Sequence, residues 1–235
     1  MKSLTYVLGA AVLTIFLASC NNQITGCPDA EIEWVDVLMV NDIKYQHHFP
    51  GPADQNKQIT IEKGKEIGKV SYKMADNACT NHETKNGDAA YLEKGTPIYE
   101  IKGYPTTLAV AAEDKVYIAD QNKKAKTAKE FLPLEGLVKN IYIESTDDGS
   151  ISHSFAPNIK EEFIKTWGTL KHKDDHKLYE EGAYEGDMVF IRIELNNGVT
   201  FRQVYWKKSN VFSGGIVGNE DMKKLIENEL SKTKN

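Results

Sequence analysis

The chain contains no residue pattern that announces a reaction. A Gly-x-Ser-x-Gly elbow, a P-loop, the glycine fingerprint of dinucleotide binding and a His-Glu-x-x-His zinc motif are all missing. Serine-hydrolase, nucleotide, dinucleotide and zinc-protease chemistry thereby lose their usual supports. Basic clusters are scarce too. Lys123, Lys124, Lys126 and Lys129 form the one group, flanked by acids, in a chain of formal charge −5. Nucleic-acid binding needs clustered Lys and Arg, so no nucleic-acid partner is expected. An anionic lipid surface would weakly repel the folded part. Seven prolines and 17 glycines among many Tyr, Ile and Val argue against extensive disorder. A single long apolar run occurs, thirteen residues from Leu4 to Phe16. It is too short to read as a membrane span.

That run is the most informative feature present. Lys2 supplies a positive start, and Leu17-Ala18-Ser19-Cys20 closes the run with small residues before a cysteine. The segment resembles the lipobox of bacterial lipoproteins. The resemblance implies a signal peptide over 1–19, cleavage before Cys20, a diacylglyceryl thioether on Cys20, and a mature chain on the outer face of the cell membrane. Two acyl chains hold stably where one binds only marginally, so anchoring would need nothing from the folded part. Removal of residues 1–19 leaves 216 residues and a charge of −6, enough for one domain or two small ones. Cys27 and Cys79 then remain as an even pair outside the cytoplasm. They either form a disulfide or stay as two thiols.

Residues 20–30 are polar and read as a lipidated tether. Strand patterns follow at Glu31–Val40, Ile43–Phe49, Ile67–Met74, Ala89–Leu92, Thr96–Lys102, Thr106–Ala112 and Lys115–Ala119, with almost no helix between them. Asn41-Asp42 suits a hairpin turn because both residues tolerate positive φ, and the turn Glu93-Lys94-Gly95 suggests another hairpin. Residues 31–120 are therefore expected to form a β-rich domain, a small barrel or curled sheet. A linker is expected over 121–136. Beyond it, 137–235 read as an α+β domain. Leu137–Glu144 and Ser150–Phe155 are strands, and Ile159, Phe163, Trp167 and Leu170 mark one helix face. Asn158, with Glu161 three residues on, offers a capping box. Met188–Leu195, Asn196-Asn197-Gly198 and Val199–Trp206 form the clearest hairpin, with a type I′ turn expected. Ile191, Ile193 and Leu195 point inward there, Arg192 and Glu194 outward. Asn219 caps a last helix carrying Met222, Leu225, Ile226 and Leu230. The expected fold class is α+β: a curled β-rich sheet, then an antiparallel sheet with two covering helices.

Candidate chemistry is thin. Cys79, His82 and Glu83, with Cys27, hold thiolate, imidazole and carboxylate donors, and His172 and His176 are spaced by four. Either group is a weak zinc or transition-metal candidate. A disulfide with a surface histidine, and a solvated helix end, are the plainer readings. Trp167 reads as core. Scattered acids such as Asp36, Asp88, Glu93, Asp187 and Glu194 define no pair for acid–base work. No catalytic residue and no cofactor is assigned.

The segment from Asn86 to Tyr104, Asn-Gly-Asp-Ala-Ala-Tyr-Leu-Glu-Lys-Gly-Thr-Pro-Ile-Tyr-Glu-Ile-Lys-Gly-Tyr, resembles one found in uncharacterised lipoproteins of Gram-positive, Bacillus-type bacteria. The run from Leu137 to Leu170 is similar to modules common in such lipoproteins. That resemblance brings no activity and no site residues. Tyr91, Tyr99 and Tyr104 can line a β surface suited to ligand or partner contact. The expectation is an extracytoplasmic, lipid-anchored, non-enzymatic module that contacts the membrane through the lipid on Cys20 and binds a protein, peptide or envelope ligand. An envelope hydrolase with a spatially assembled acid or histidine site, or a metal-handling lipoprotein, is the alternative.

Overall fold

A computed structural model describes residues 35–47, Ile59 and residues 61–234. The expected signal peptide, the tether, Cys20, Cys27 and the start of the first strand lie outside the described residues. Ala78–His82 belong to one compact unit, and the other described residues to a second. Among the described residues no helix is long and apolar enough to cross a membrane.

The larger unit is built on two sheets and is α+β and β-rich. The first sheet curls through eight strands: β1 (Val37–Val40), β2 (Ile43–His47), β3 (Lys63–Lys69), β4 (Tyr72–Lys73), β5 (Asp88–Ala89), β6 (Pro97–Ile101), β7 (Ala109–Ala112) and β8 (Lys115–Asn122). Their spatial order is β3-β6-β7-β8-β2-β1-β5-β4, antiparallel except for the β4–β5 pair. The β1–β2 hairpin turns at Asn41 and Asp42, with φ of 55° and 64°. A type I′ turn needs both values positive, and its twist matches that of the strands. Asn86 clamps the turn: Asp42 N donates to Asn86 Oδ1 at 2.8 Å, and Asn86 Nδ2 donates to Asp42 Oδ1 at 2.7 Å.

Two local expectations fail in this sheet for a shared reason. The strand read at Ile67–Met74 is split: β3 stops at Lys69, β4 follows, and Met74–Asn77 form a short helix, α1. Val70 N bonds to Thr96 O and Ser71 N to Gly87 O, so the chain changes partners there. The turn at 93–96 exists, with Thr96 N bonded to Glu93 O at 3.0 Å. Its flanks nevertheless do not pair with each other. Ala89 pairs with Leu38, while β6 pairs with β3 and β7. Long-range pairing overrides the hairpin that the local sequence suggests.

The second sheet is antiparallel throughout. It contains β9 (Val138–Glu144), β10 (Ile151–Ser154), β11 (Lys171–His172), β12 (Met188–Leu195), β13 (Thr200–Trp206), β14 (Val211–Phe212) and β15 (Ile216–Val217), ordered β10-β9-β12-β13-β14-β15-β11. The β12–β13 turn has positive φ only at Gly198, and Leu195 N bonds to Val199 O at 2.8 Å. That is a three-residue loop ending in a left-handed glycine, not the expected type I′ turn. Helices α3 (Pro157–Trp167) and α5 (Glu220–Ser231) bury Phe163, Trp167, Met222 and Ile226. Asn219 caps α5 as expected, accepting from Met222 N at 2.9 Å. Asn158 does not cap α3. The helix starts one residue earlier, at Pro157, because the fixed φ of proline suits the first helical position and its missing N–H is not needed there.

Residues 121–136, expected as a linker, are instead part of the core. Ala125, Ala128, Phe131, Leu132 and Leu134 are buried in one hydrophobic cluster that includes side chains from both sheets. Thr127 caps the short helix α2 (Ala128–Phe131). Trp167 ties this stretch to α3: its Nε1 donates to Leu132 O at 3.0 Å, and its ring stacks on Phe163 and meets Phe212 edge-on. Trp167 is a core residue, 1% exposed.

Candidate functional site

Three chain segments distant in sequence converge beyond the end of β8. Asp120–Asn122 finish that strand, β11 leads into α4 (Asp175–Glu180), and the Gly214-Gly215 turn joins β14 to β15. His172 N donates to Lys126 O, and Lys173 N donates to Gly215 O. Gly215, at φ +78°, admits the approach of Lys173, because a methyl there would stand 2.3 Å from Lys173 O. Between these segments opens a cavity of about 740 Å³, whose wall includes Asp120, Lys126, His172, Asp175, Tyr179 and Tyr184. A second cavity, of about 400 Å³, shares Asp120 and Gly214 with it and reaches His47, Gln203 and Ser213.

Several groups in the larger wall remain open to a ligand. His172 Nδ1 lies 2.9 Å from Ala125 O. A carbonyl can only accept, so Nδ1 carries the proton and in the neutral ring Nε2 keeps its lone pair. Burial raises the carboxyl of Asp120 above its ordinary range, Asp175 adds to the rise, and Lys44 at 3.7 Å opposes it. Tyr184 donates its hydroxyl to Asp175, and its ring lies 4.7 Å from that of Trp206. Burial raises the Tyr184 phenol, and Asp175 raises it further. The wall combines acceptors, ammonium groups and aromatic rings, a combination suited to orienting a polar ligand. Among the described residues of its wall there is no Ser, Thr or Cys.

Other charges are committed to one another. Glu144, Arg192 and Glu194 are 4%, 2% and 2% exposed, although the strand pattern turns them away from the core face. Glu144 accepts from Arg192 Nη1 at 2.7 Å and Arg202 Nε at 2.6 Å. The Arg202 guanidinium also lies over the Phe190 ring. Glu194 accepts from Tyr142 Oη at 2.6 Å and Asn140 Nδ2 at 2.9 Å. Burial, then Glu194, pushes the Tyr142 phenol up to about 12. On the first sheet Asp36 is 4% exposed and accepts from Lys115 Nζ at 2.8 Å and Tyr117 Oη at 3.2 Å. On α5, Glu229 lies 2.6 Å from His153 Nε2.

The residues singled out from sequence are dispersed among these features. His172 and His176 both line the larger cavity, but His172 is in a strand and His176 is an exposed helical residue paired with Glu180 at 3.5 Å. Cys79 is disulfide-bonded, with its partner outside the described residues, and His82 N bonds to Cys79 O. Among the described residues no group of three His, Cys, Asp or Glu could hold a metal ion. Tyr104 Oη accepts from Asn197 N at 2.8 Å, the Tyr99 ring lies 5.3 Å from Lys63 Nζ, and Tyr91 is 45% exposed. Asp120, Tyr184, Gln203 and Ser213 were not foreseen. None has a local motif, and they meet only through long-range pairing.

Compared with known proteins, the chain matches no family model, no curated protein and no solved structure.

Proposed function

We propose that this chain is a lipid-anchored, non-enzymatic binding module of the cell envelope, held on the outer face of the membrane through Cys20. Its ligand occupies the cavity of about 740 Å³ around Asp120, His172 and Tyr184. One observation carries the binding reading: the cavity brings a histidine lone pair, three carboxylates and two tyrosines together, with no hydroxyl or thiol nucleophile from Ser, Thr or Cys among the described residues of its wall. The lipobox-like segment Leu17-Ala18-Ser19-Cys20 supports the location.

Three measurements test it. Native mass spectrometry of the protein purified from its membrane, without dialysis, should show a retained small molecule that is lost in Tyr184→Ala. Turnover of an envelope glycan or ester by the wild-type protein, abolished in His172→Gln, would overturn the non-enzymatic reading. Cys20→Ala should leave the protein unprocessed or released; a processed, acylated and membrane-bound product would overturn the anchor.

A further inference from the structure

The smaller cavity holds a feature that the binding reading leaves unused. In β13, Val204 N donates to Ser213 Oγ at 3.1 Å, and Ser213 N donates to Val204 O at 2.8 Å. The main-chain groups of Val204 therefore point away from β12. Alternation along an antiparallel strand makes those of Arg202, two residues back, point the same way. Among the described residues no strand meets them. β14 pairs only with Tyr205 and Trp206, and after Ser213 the chain leaves at Gly214. The N–H and C=O of Arg202 thus stand on a strand edge that no described strand pairs, in the wall of the cavity of about 400 Å³.

Gln203 stands beside them. It is 7% exposed, and Ser213 Oγ donates to its Oε1 at 3.2 Å. That bond fixes the amide orientation and leaves Nε2 as the free end, with no partner among the described residues. Gln203 Nε2 is not sealed from solvent: it keeps access to the cavity, where an acceptor that enters can receive its N–H. Phe131, Ile118 and Phe201 supply the apolar part of the wall. The volume lies within the range of roughly 300–1,000 Å³ typical of small-molecule sites.

We infer that this cavity is a peptide-group subsite: a short extended peptide pairs its main chain with Arg202 N–H and C=O, gives a carbonyl to Gln203 Nε2, and seats an apolar side chain against Phe131 and Ile118. The N–H and C=O of one residue in a strand are complementary to the C=O and N–H of another, which is how edge strands capture extended segments. A sugar offers hydroxyls but no such spaced amide pair. The inference rests on the reading of the chain as a binding module and assigns the chemical class of what it binds.

Titration of the 15N-labelled full chain with N-acetyl-leucyl-leucine amide tests it. The Arg202 backbone amide and the Gln203 side-chain NH₂ should shift together and saturate. Gln203→Leu should weaken binding about fivefold, the loss of one ordinary hydrogen bond. The peptide N-methylated at its central amide should bind at least about fivefold more weakly to the wild type, since Arg202 C=O then lacks its donor. The wild-type comparison decides even if Gln203→Leu does not fold. Equal binding of the N-methylated probe overturns the edge pairing. Shifts confined to His172 and Tyr184 overturn the subsite while leaving the larger cavity as the ligand site. Absence of any saturable shift overturns the peptide assignment, and the retained-ligand measurement then judges the binding reading on its own.

Discussion

The outer face of the second sheet and the wall around Asp120 hold similar residues in different states. On the sheet face, Glu144 receives two arginines and Glu194 receives a tyrosine and an amide, so each buried carboxylate is paired within a few ångströms. Around Asp120 the pairing is incomplete. Lys44 is 3.7 Å away, Asp175 repels, His172 keeps a lone pair and Gln203 Nε2 has no partner among the described residues. Buried charge that satisfies itself belongs to the fold, because removing one partner strands the other. Polar groups held unsatisfied beside a cavity gain from a ligand instead. This contrast, more than the abundance of charge in either region, separates structure from site.

The largest expected effect breaks the paired region. Replacing both arginines, Arg192→Met with Arg202→Met, strands the carboxylate of Glu144 at 4% exposure, and urea denaturation should show a loss of about 3–5 kcal/mol. Adding Glu144→Leu to that pair should recover most of the loss, since no charge of the trio is then left alone. A loss below about 1 kcal/mol in the double variant would place the network outside the fold's support. A smaller loss is expected at the wall shared by the two cavities. Gly214 has φ +73°, and a methyl there would stand 2.6 Å from Phe131 Cε1. Gly214→Ala should cost about 2–4 kcal/mol, combining the left-handed penalty with local overpacking. Denaturant midpoints at constant slope check this.

Which of these features could be read from sequence depended on how far their causes lie along the chain. Alternation over Met188–Leu195 was readable, and Ile191, Ile193 and Leu195 are buried as expected, with Arg192 opposite Arg202. The burial of Arg192 and Glu194 was not readable, because the groups that cover them, Glu144, Tyr142 and Asn140, come from β9, roughly fifty residues earlier. Asn219 announced its cap because its partner, Met222 N, is three residues away. Asn158 announced a cap that Pro157 pre-empted. His172 and His176 were visible as a spacing suited to chelation, but one became a strand residue and the other an exposed helical one. Asp120 carried no local signal. Its meaning comes from Gly214 and Asp175, brought beside it by the pairing of β11 with β15.

His47 offers a test through pH. It stands at the smaller cavity, and burial holds its imidazole below the ordinary histidine value. Asp36 and Asp114 oppose that shift, while Lys115 reinforces it. The folded protein therefore binds fewer protons here than the unfolded chain. Stability should fall as pH drops below about 6.5 toward the depressed folded value. In His47→Gln the slope of stability against pH should flatten in that window. An unchanged slope would assign the acid sensitivity to another group.

Asp120→Asn gives the smallest effect and the most diagnostic sign. A carboxyl raised in the folded state binds more protons there than when unfolded. Stability contributed by its neutral form is thus present below the unfolded value and lost as pH rises through the folded one. At neutral pH the ionised carboxylate is desolvated and faces Asp175, with Lys44 too distant for a tight pair. Replacing it by the neutral amide should therefore leave the protein slightly more stable at pH 7, flatten the stability curve on the acid side, and reduce the retained-ligand signal in native mass spectra. A gain in stability with a loss of binding is the signature of a group kept for function against the interest of the fold. If Asp120→Asn lowers stability and binding together, Asp120 is instead the partner of Lys44. The wall around it then resembles the sheet face, and the distinction between the two regions fails.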